Sequence, residues 1–132
     1  MHVADFESIM ISRFIKSKKE WSGRGAIKTT FNLHTSTATL IYEAEFTSFE
    51  QYLLDLLGRA NKFDFFLEDV TAVMKNDFDP VFESMYPGLK IEEMTSEVEG
   101  EHCRNQIVTI RFNKNLRQLV VNDQIDMRQV LA

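Results

Sequence analysis

Three histidines, one cysteine and twenty carboxylates are the side chains from which a reaction centre in this chain would have to be built. A zinc site needs three or four ligands with local spacing such as Cys-x-x-Cys or His-x-x-x-His. His2 and His34 stand alone, and the adjacent pair His102-Cys103 has no second pair to complete it. As a nucleophile, Cys103 would need a base that orients and deprotonates it. Neighbours on an extended chain point to opposite sides, so His102 is poorly placed for that role. Arg104 favours the thiolate there, while Glu99 and Glu101 oppose it.

The carboxylates invite an acid–base or divalent-metal site, yet each cluster has a structural role. Glu43 and Glu45 share one face of a strand, and Asp64, Glu68 and Asp69 sit where a helix begins and exposed amides favour negative charge. Asp77, Asp79 and Glu83 surround a proline, and the Asp-x-Asp-x-Asp-Gly loop of an EF-hand is absent. The glycines, Gly23, Gly25, Gly58, Gly88 and Gly100, form neither Gly-x-x-x-x-Gly-Lys nor Gly-x-Gly-x-x-Gly, and no Gly-x-Ser-x-Gly elbow occurs. The sequence therefore points to no catalytic residue, no metal and no cofactor.

The remaining chemical signal is basic. Arg13, Lys16, Lys18, Lys19, Arg24 and Lys28 surround Trp21, a grouping that could contact phosphate and stack a base. The chain as a whole carries a net charge of −5, and a helix terminus running into a loop accounts for most of these bases. Nucleic acid is thus not the expected partner.

The elements that must position these groups are plainly written. Phe6, Ile9, Met10 and Phe14 share one face of a helix over Asp5–Lys19, with acids at its start and lysines at its end, as the helix dipole favours. Trp21-Ser22-Gly23-Arg24-Gly25 interrupts it. Ile27, Thr29, Phe31 and Leu33 then alternate with polar residues, and Ala38, Leu40, Tyr42, Ala44 and Phe46 do the same after a turn at His34–Thr37. So short a connection requires an antiparallel hairpin.

Two helices follow. Phe49, Tyr52, Leu53, Leu56, Leu57 and Ala60 make one apolar stripe, preceded by two overlapping capping boxes, Thr47 with Glu50 or Ser48 with Gln51. This helix is expected to stop near Gly58–Asn61. Phe66, Val70, Val73, Met74, Phe78, Val81, Phe82 and Met85 make the second stripe, in a helix starting near Phe63 or Asp64. Asp79-Pro80 lies inside it, so the helix either kinks there or restarts with Asp79 as its cap. After Pro87-Gly88, residues Leu89–Val98 read as a glutamate-rich edge strand and Gln106–Phe112 as a strong strand facing inward through Val108, Ile110 and Phe112. Leu119-Val120-Val121 reads as a short additional strand, and Asp123 as the cap of a last helix carrying Met127, Val130 and Leu131.

The expectation is one α+β domain over residues 1–132, an antiparallel sheet of two hairpins, four or five strands in all, with helices mainly on one face. The order is α-β-β-α-α-β-β-(β)-α. No apolar run approaches the roughly 20 residues of a membrane span. The single Cys103 cannot form an intramolecular disulfide, and the acidic N-terminus lacks the positive start of a signal peptide. Both point to a cytoplasmic protein.

Two features bear on function. Residues 1–34 carry six bases and three acids, residues 43–101 four bases and fifteen acids, and residues 102–132 five bases and two acids. Basic ends around an acidic middle fit either one another within a fold or a partner steered by charge. Several apolar or basic residues also lie off the main stripes. Ile11, Ile15, Lys16, Lys19, Trp21, Arg24, Leu54 and Phe65 are the candidate partner contacts. They favour a non-catalytic interaction or regulatory module, as a homodimer or as an adaptor or inhibitor docking on a larger protein. The alternative is a small-molecule binding protein or an enzyme acting on such a ligand. Eleven Phe against one Trp and three Tyr could line an apolar pocket, with Phe31, Tyr42, Phe66, Phe78, Phe82 and Phe112 as its walls.

Overall fold

Local period settles most of the elements. The computed structural model describes residues 1–44, 47–59, 63–99 and 105–132, and the side chains of residues 58, 59 and 63–66 lie outside that description. Helix α1 (Val3–Ser22) is followed by strands β1 (Ala26–Leu33) and β2 (Thr37–Ala44), then by helices α2 (Ser48–Arg59) and α3 (Phe63–Met85). Strands β3 (Ile91–Glu99) and β4 (Asn105–Phe112) and the short helices α4 (Leu116–Val121) and α5 (Arg128–Leu131) complete the chain. The four strands form one antiparallel sheet in the order β1-β2-β4-β3, so the two hairpins join through β2 and β4. This is the α+β architecture that the sequence pattern implies.

All the described helices except α2 contribute to a core on one face of the sheet. Phe6, Met10 and Phe14 of α1 and Met74, Phe78, Phe82 and Met85 of α3 meet Phe31, Leu33, Leu40, Tyr42, Val108, Ile110 and Phe112 from the strands. Each fully buried side chain of this size contributes about 1.5–3 kcal/mol relative to exposure. Among the described residues no helix covers the opposite face of the sheet, which presents Thr30, Asn32, Thr95 and Thr109 to solvent.

Three details depart from the sequence pattern. Ile27 was expected to face inward, but it is 40% exposed, because the β1–β2 register shifts between Ile27 and Thr30. Lys28 takes a left-handed φ of 51° at that bulge, and one extra residue moves Ala26 rather than Ile27 onto the core face. Leu119-Val120-Val121 is helical, not a strand. Asn115 caps it by accepting the Gln118 N–H at 3.1 Å, and Leu116 and Val120, four apart, both turn into the core. Asp123 does not open the last helix. It adopts a φ of 54° and donates its N–H to the Val120 carbonyl, closing α4, while Met127 stands at the start of α5.

Helix α3 passes through Pro80 without ending. Asp79 is not a cap there; its carboxylate accepts from Lys75 one turn earlier, at 2.9 Å. Of the two capping boxes, Thr47 with Glu50 is formed. Glu50 N–H donates to the Thr47 hydroxyl and Thr47 N–H to the Glu50 carboxylate, both at 3.1 Å.

Candidate functional site

Among the described residues, helix α2 meets the rest of the molecule at its start, at Leu54 and along α3. Its capping box fixes the start, Leu54 is buried with 7% exposed, and α2 rests on α3. An ion pair of 3.2 Å joins Glu50 to Arg24 in the α1–β1 connection. The Thr47 hydrogen bonds come first in holding the Glu50 carboxyl below its ordinary value, with the Arg24 charge a smaller cause.

Most of the apolar stripe of α2 does not turn inward; Leu57 is half-buried, and Ala60 lies outside the described residues. Phe49 is 69% exposed and Tyr52 56%, with Leu53 and Leu56 exposed beside them. This reverses the expected orientation: Leu54, placed off the stripe by its spacing, is the buried residue and not a surface contact. The reason lies in the capacity of the sheet. Strands sit about 4.8 Å apart, so four of them offer a surface roughly 15–20 Å wide. Helices pack about 8–10 Å apart, and that width takes two. Helices α1 and α3 already occupy it, and α2 is left over as a third.

Of the other candidate contacts, Ile15, Lys19, Trp21 and Arg24 gather around the C-terminal turn of α1. Ile15, Lys19 and Arg24 line one open groove together with Ser22, Gly23 and Gly25. Lys16 is exposed, whereas Ile11 and Ile15 pack partly against the core. Trp21 is half-buried, and its indole N–H has no hydrogen-bond partner among the described residues. The side chain of Phe65 lies outside the described residues.

Lys18, one of the bases grouped around Trp21 in the sequence, is the organising residue of this corner. It is buried and donates to the carbonyls of Arg24 at 3.2 Å and Gly25 at 3.1 Å. Its ammonium lies 5.9 Å from the Trp21 ring centroid and 6.0 Å from that of Tyr42. The charge therefore staples the end of α1 to the start of β1 between two aromatic faces.

The proposed walls of a ligand pocket fill the core instead of enclosing a space. Phe14 lies 4.8 Å from Tyr42 and 6.1 Å from Phe78, Phe78 lies 5.8 Å from Phe82, and Phe82 lies 4.7 Å from Phe112. Phe31 packs edge-on against Phe6. The side chain of Phe66 lies outside the described residues. Tyr42 and Gln106 satisfy one another inside this core, and burial pushes the Tyr42 phenol well above its ordinary value.

No protein-family model, curated protein or solved structure matches this chain. The geometry must therefore speak for itself. Among the described residues no three His, Cys, Asp or Glu side chains group as metal ligands. His34 is exposed after β1, and His102, Cys103 and Arg104 lie outside the described residues. Nor is any helix among the described residues long and apolar enough to cross a membrane. What the arrangement can do chemically is bind, through a helix that offers anchors at i, i+3, i+4 and i+7.

Proposed function

We propose that this protein is a non-catalytic interaction module that works as a homodimer, with the α2 stripe as its contact face. The observation that carries the reading is the exposure of Phe49, Tyr52, Leu53 and Leu56 on one side of a well-capped helix. Together these side chains leave roughly 400 Å² of apolar surface in water, the scale at which patches on small proteins mark contacts. A two-fold contact sets the same patch against itself, so a stripe with no polar residue along its crest is complementary to its own copy. Each partner in a standard interface buries about 800 Å², and polar surface flanking the stripe supplies the remainder.

The charge pattern supports apolar over electrostatic association. Arg24 from the basic first segment already pairs with Glu50 from the acidic middle within one chain, so part of the complementarity is spent inside the fold. The lone cysteine favours a cytoplasmic setting for the dimer.

Light scattering coupled to size exclusion tests this directly. The expected mass is twice the 15.4 kDa of the chain, unchanged between low and high salt. Leu53→Asp places a charge on the stripe without touching the core and is expected to give a folded monomer. A wild-type monomer at tens of micromolar, or a dimer indifferent to Leu53→Asp, would overturn the proposal.

A further inference from the structure

The two edges of the sheet are treated differently. At the β1 edge the Leu33 N–H donates to the Glu7 carboxylate at 2.7 Å, and the Leu33 carbonyl accepts from Arg117 at 2.9 Å. The bulge at Lys28 further breaks the line of that edge. Strand β3, at the other edge, has no side chain bonded to its backbone among the described residues, and its one register shift lies at its start, between Ile91 and Glu93. From Glu93 to Glu99 it pairs with β4 in unbroken register, and among the described residues no backbone bond outside that ladder reaches Ile91–Glu99. One side of the strand therefore keeps its hydrogen-bonding groups open.

Beside this edge runs a groove of about 510 Å³ between β3 and α3. Leu67, Thr71, Ala72 and Lys75 line it from the helix, and Met94 and Ser96 from the inner face of the strand. A hydroxyl contact of 2.6 Å between Thr71 and Ser96 ties the helix to the strand. On the outer face stand Glu93, Thr95, Glu97 and Glu99. Arg111 engages Glu92 and Glu93, whereas Glu97 and Glu99 have no basic partner among the described residues, and Glu68 adds a third carboxylate at the groove.

We infer that β3 is a docking edge for an extended basic peptide, which adds as a fifth strand beneath α3. The backbone of the peptide pairs with β3, alternate small apolar side chains enter the groove over Met94 and Ala72, and the intervening lysines or arginines meet Glu97 and Glu99. Charge on an edge usually deters pairing, and here it deters one partner in particular. A second copy of β3 would set glutamate against glutamate, so the edge rejects self-association and admits strands of opposite charge.

The probe is a short blocked peptide alternating lysine and valine, labelled with fluorescein and titrated by anisotropy against the full chain. Two further versions carry N-methyl groups on the lysine amides or on the valine amides. The expected result is that one methylated version loses affinity by roughly tenfold or more and the other does not, because only alternate N–H groups face the edge. Ala72→Trp, at an exposed helix position, fills the groove and is expected to weaken binding comparably. The exchange Glu97→Lys with Glu99→Lys is expected to transfer preference to a glutamate–valine peptide. No binding of the lysine–valine peptide, equal binding of both methylated versions, or indifference to Ala72→Trp would overturn the inference, the last two marking charge attraction alone.

Discussion

Helices α2 and α3 follow one another in the chain and carry nearly the same apolar rhythm, yet they meet opposite fates. Phe78 and Phe82 of α3 are 1% and 0% exposed, while Phe49 of α2 is 69% exposed. Periodicity specifies that a helix has an apolar face. Whether that face finds cover inside the molecule depends on how much sheet remains to be covered, and four strands are filled by α1 and α3. The surplus is then a property of the assembled layers and not of either helix.

The widest test of this contrast is a pair of truncations. Phe82→Ala should cost about 3–5 kcal/mol in chemical denaturation, the range for removing a buried ring. Phe49→Ala should change monomer stability by no more than about 0.5 kcal/mol, as at other exposed positions, when measured in the Leu53→Asp background. Comparable losses at both sites would show that the α2 stripe is covered within one chain.

The core half should also fail first in alkali. The folded state holds Tyr42 neutral above the ordinary phenol value of 10.0, whereas the unfolded chain ionises there. Its contribution is complete below that value and declines as pH rises beyond it, so melts followed by near-ultraviolet circular dichroism should fall steeply above pH 10, less so in Tyr42→Phe.

Leu54→Ala sharpens the contrast within α2 itself. Removing the one buried side chain among its described residues should cost about 2 kcal/mol, with loss of helical signal preceding loss of core fluorescence.

The smallest effect belongs to the capping box. Thr47→Ala should cost about 1 kcal/mol and remove the acid dependence of α2. Glu50 titrates below its ordinary value of 4.5 in the folded protein. The stabilisation is therefore present above that value and lost as pH falls through the lower folded one. Acid thus loosens α2 where alkali attacks the core, and helical content against pH in wild type and Thr47→Ala separates the two.

Much of this was legible from local pattern. The inward faces of α1, β2 and β4 followed directly from period, because each packs against the continuous core. The bulge at Lys28 was not, since a lysine gives no sign of a left-handed φ in the way glycine or asparagine does. Leu119-Val120-Val121 misled through its β-branched residues, although Asn115, three residues before Gln118, offered a cap that could have been read. In the candidate site, Ile15, Lys19 and Arg24 share a groove because they are near in sequence. The burial of Leu54 and the structural task of Lys18 were invisible, because each is decided by a neighbour distant or folded back in the chain.

Pro80 is not where α3 comes apart first. Lacking an N–H, it leaves the Asn76 carbonyl without its usual helical donor toward the C-terminal end of a 23-residue helix. Core side chains hold both flanks of that gap, Met74 and Phe78 before it and Phe82 and Met85 after it, while Leu67, Thr71 and Ala72 line the groove farther back. Packing spans the gap, so opening starts instead in the groove turns, where Leu67 is the only buried side chain among the described residues up to Ala72. Amide hydrogens up to Ala72 should exchange with solvent well ahead of those from Met74 onward. The wall of the groove can then breathe while the aromatic core stays shut.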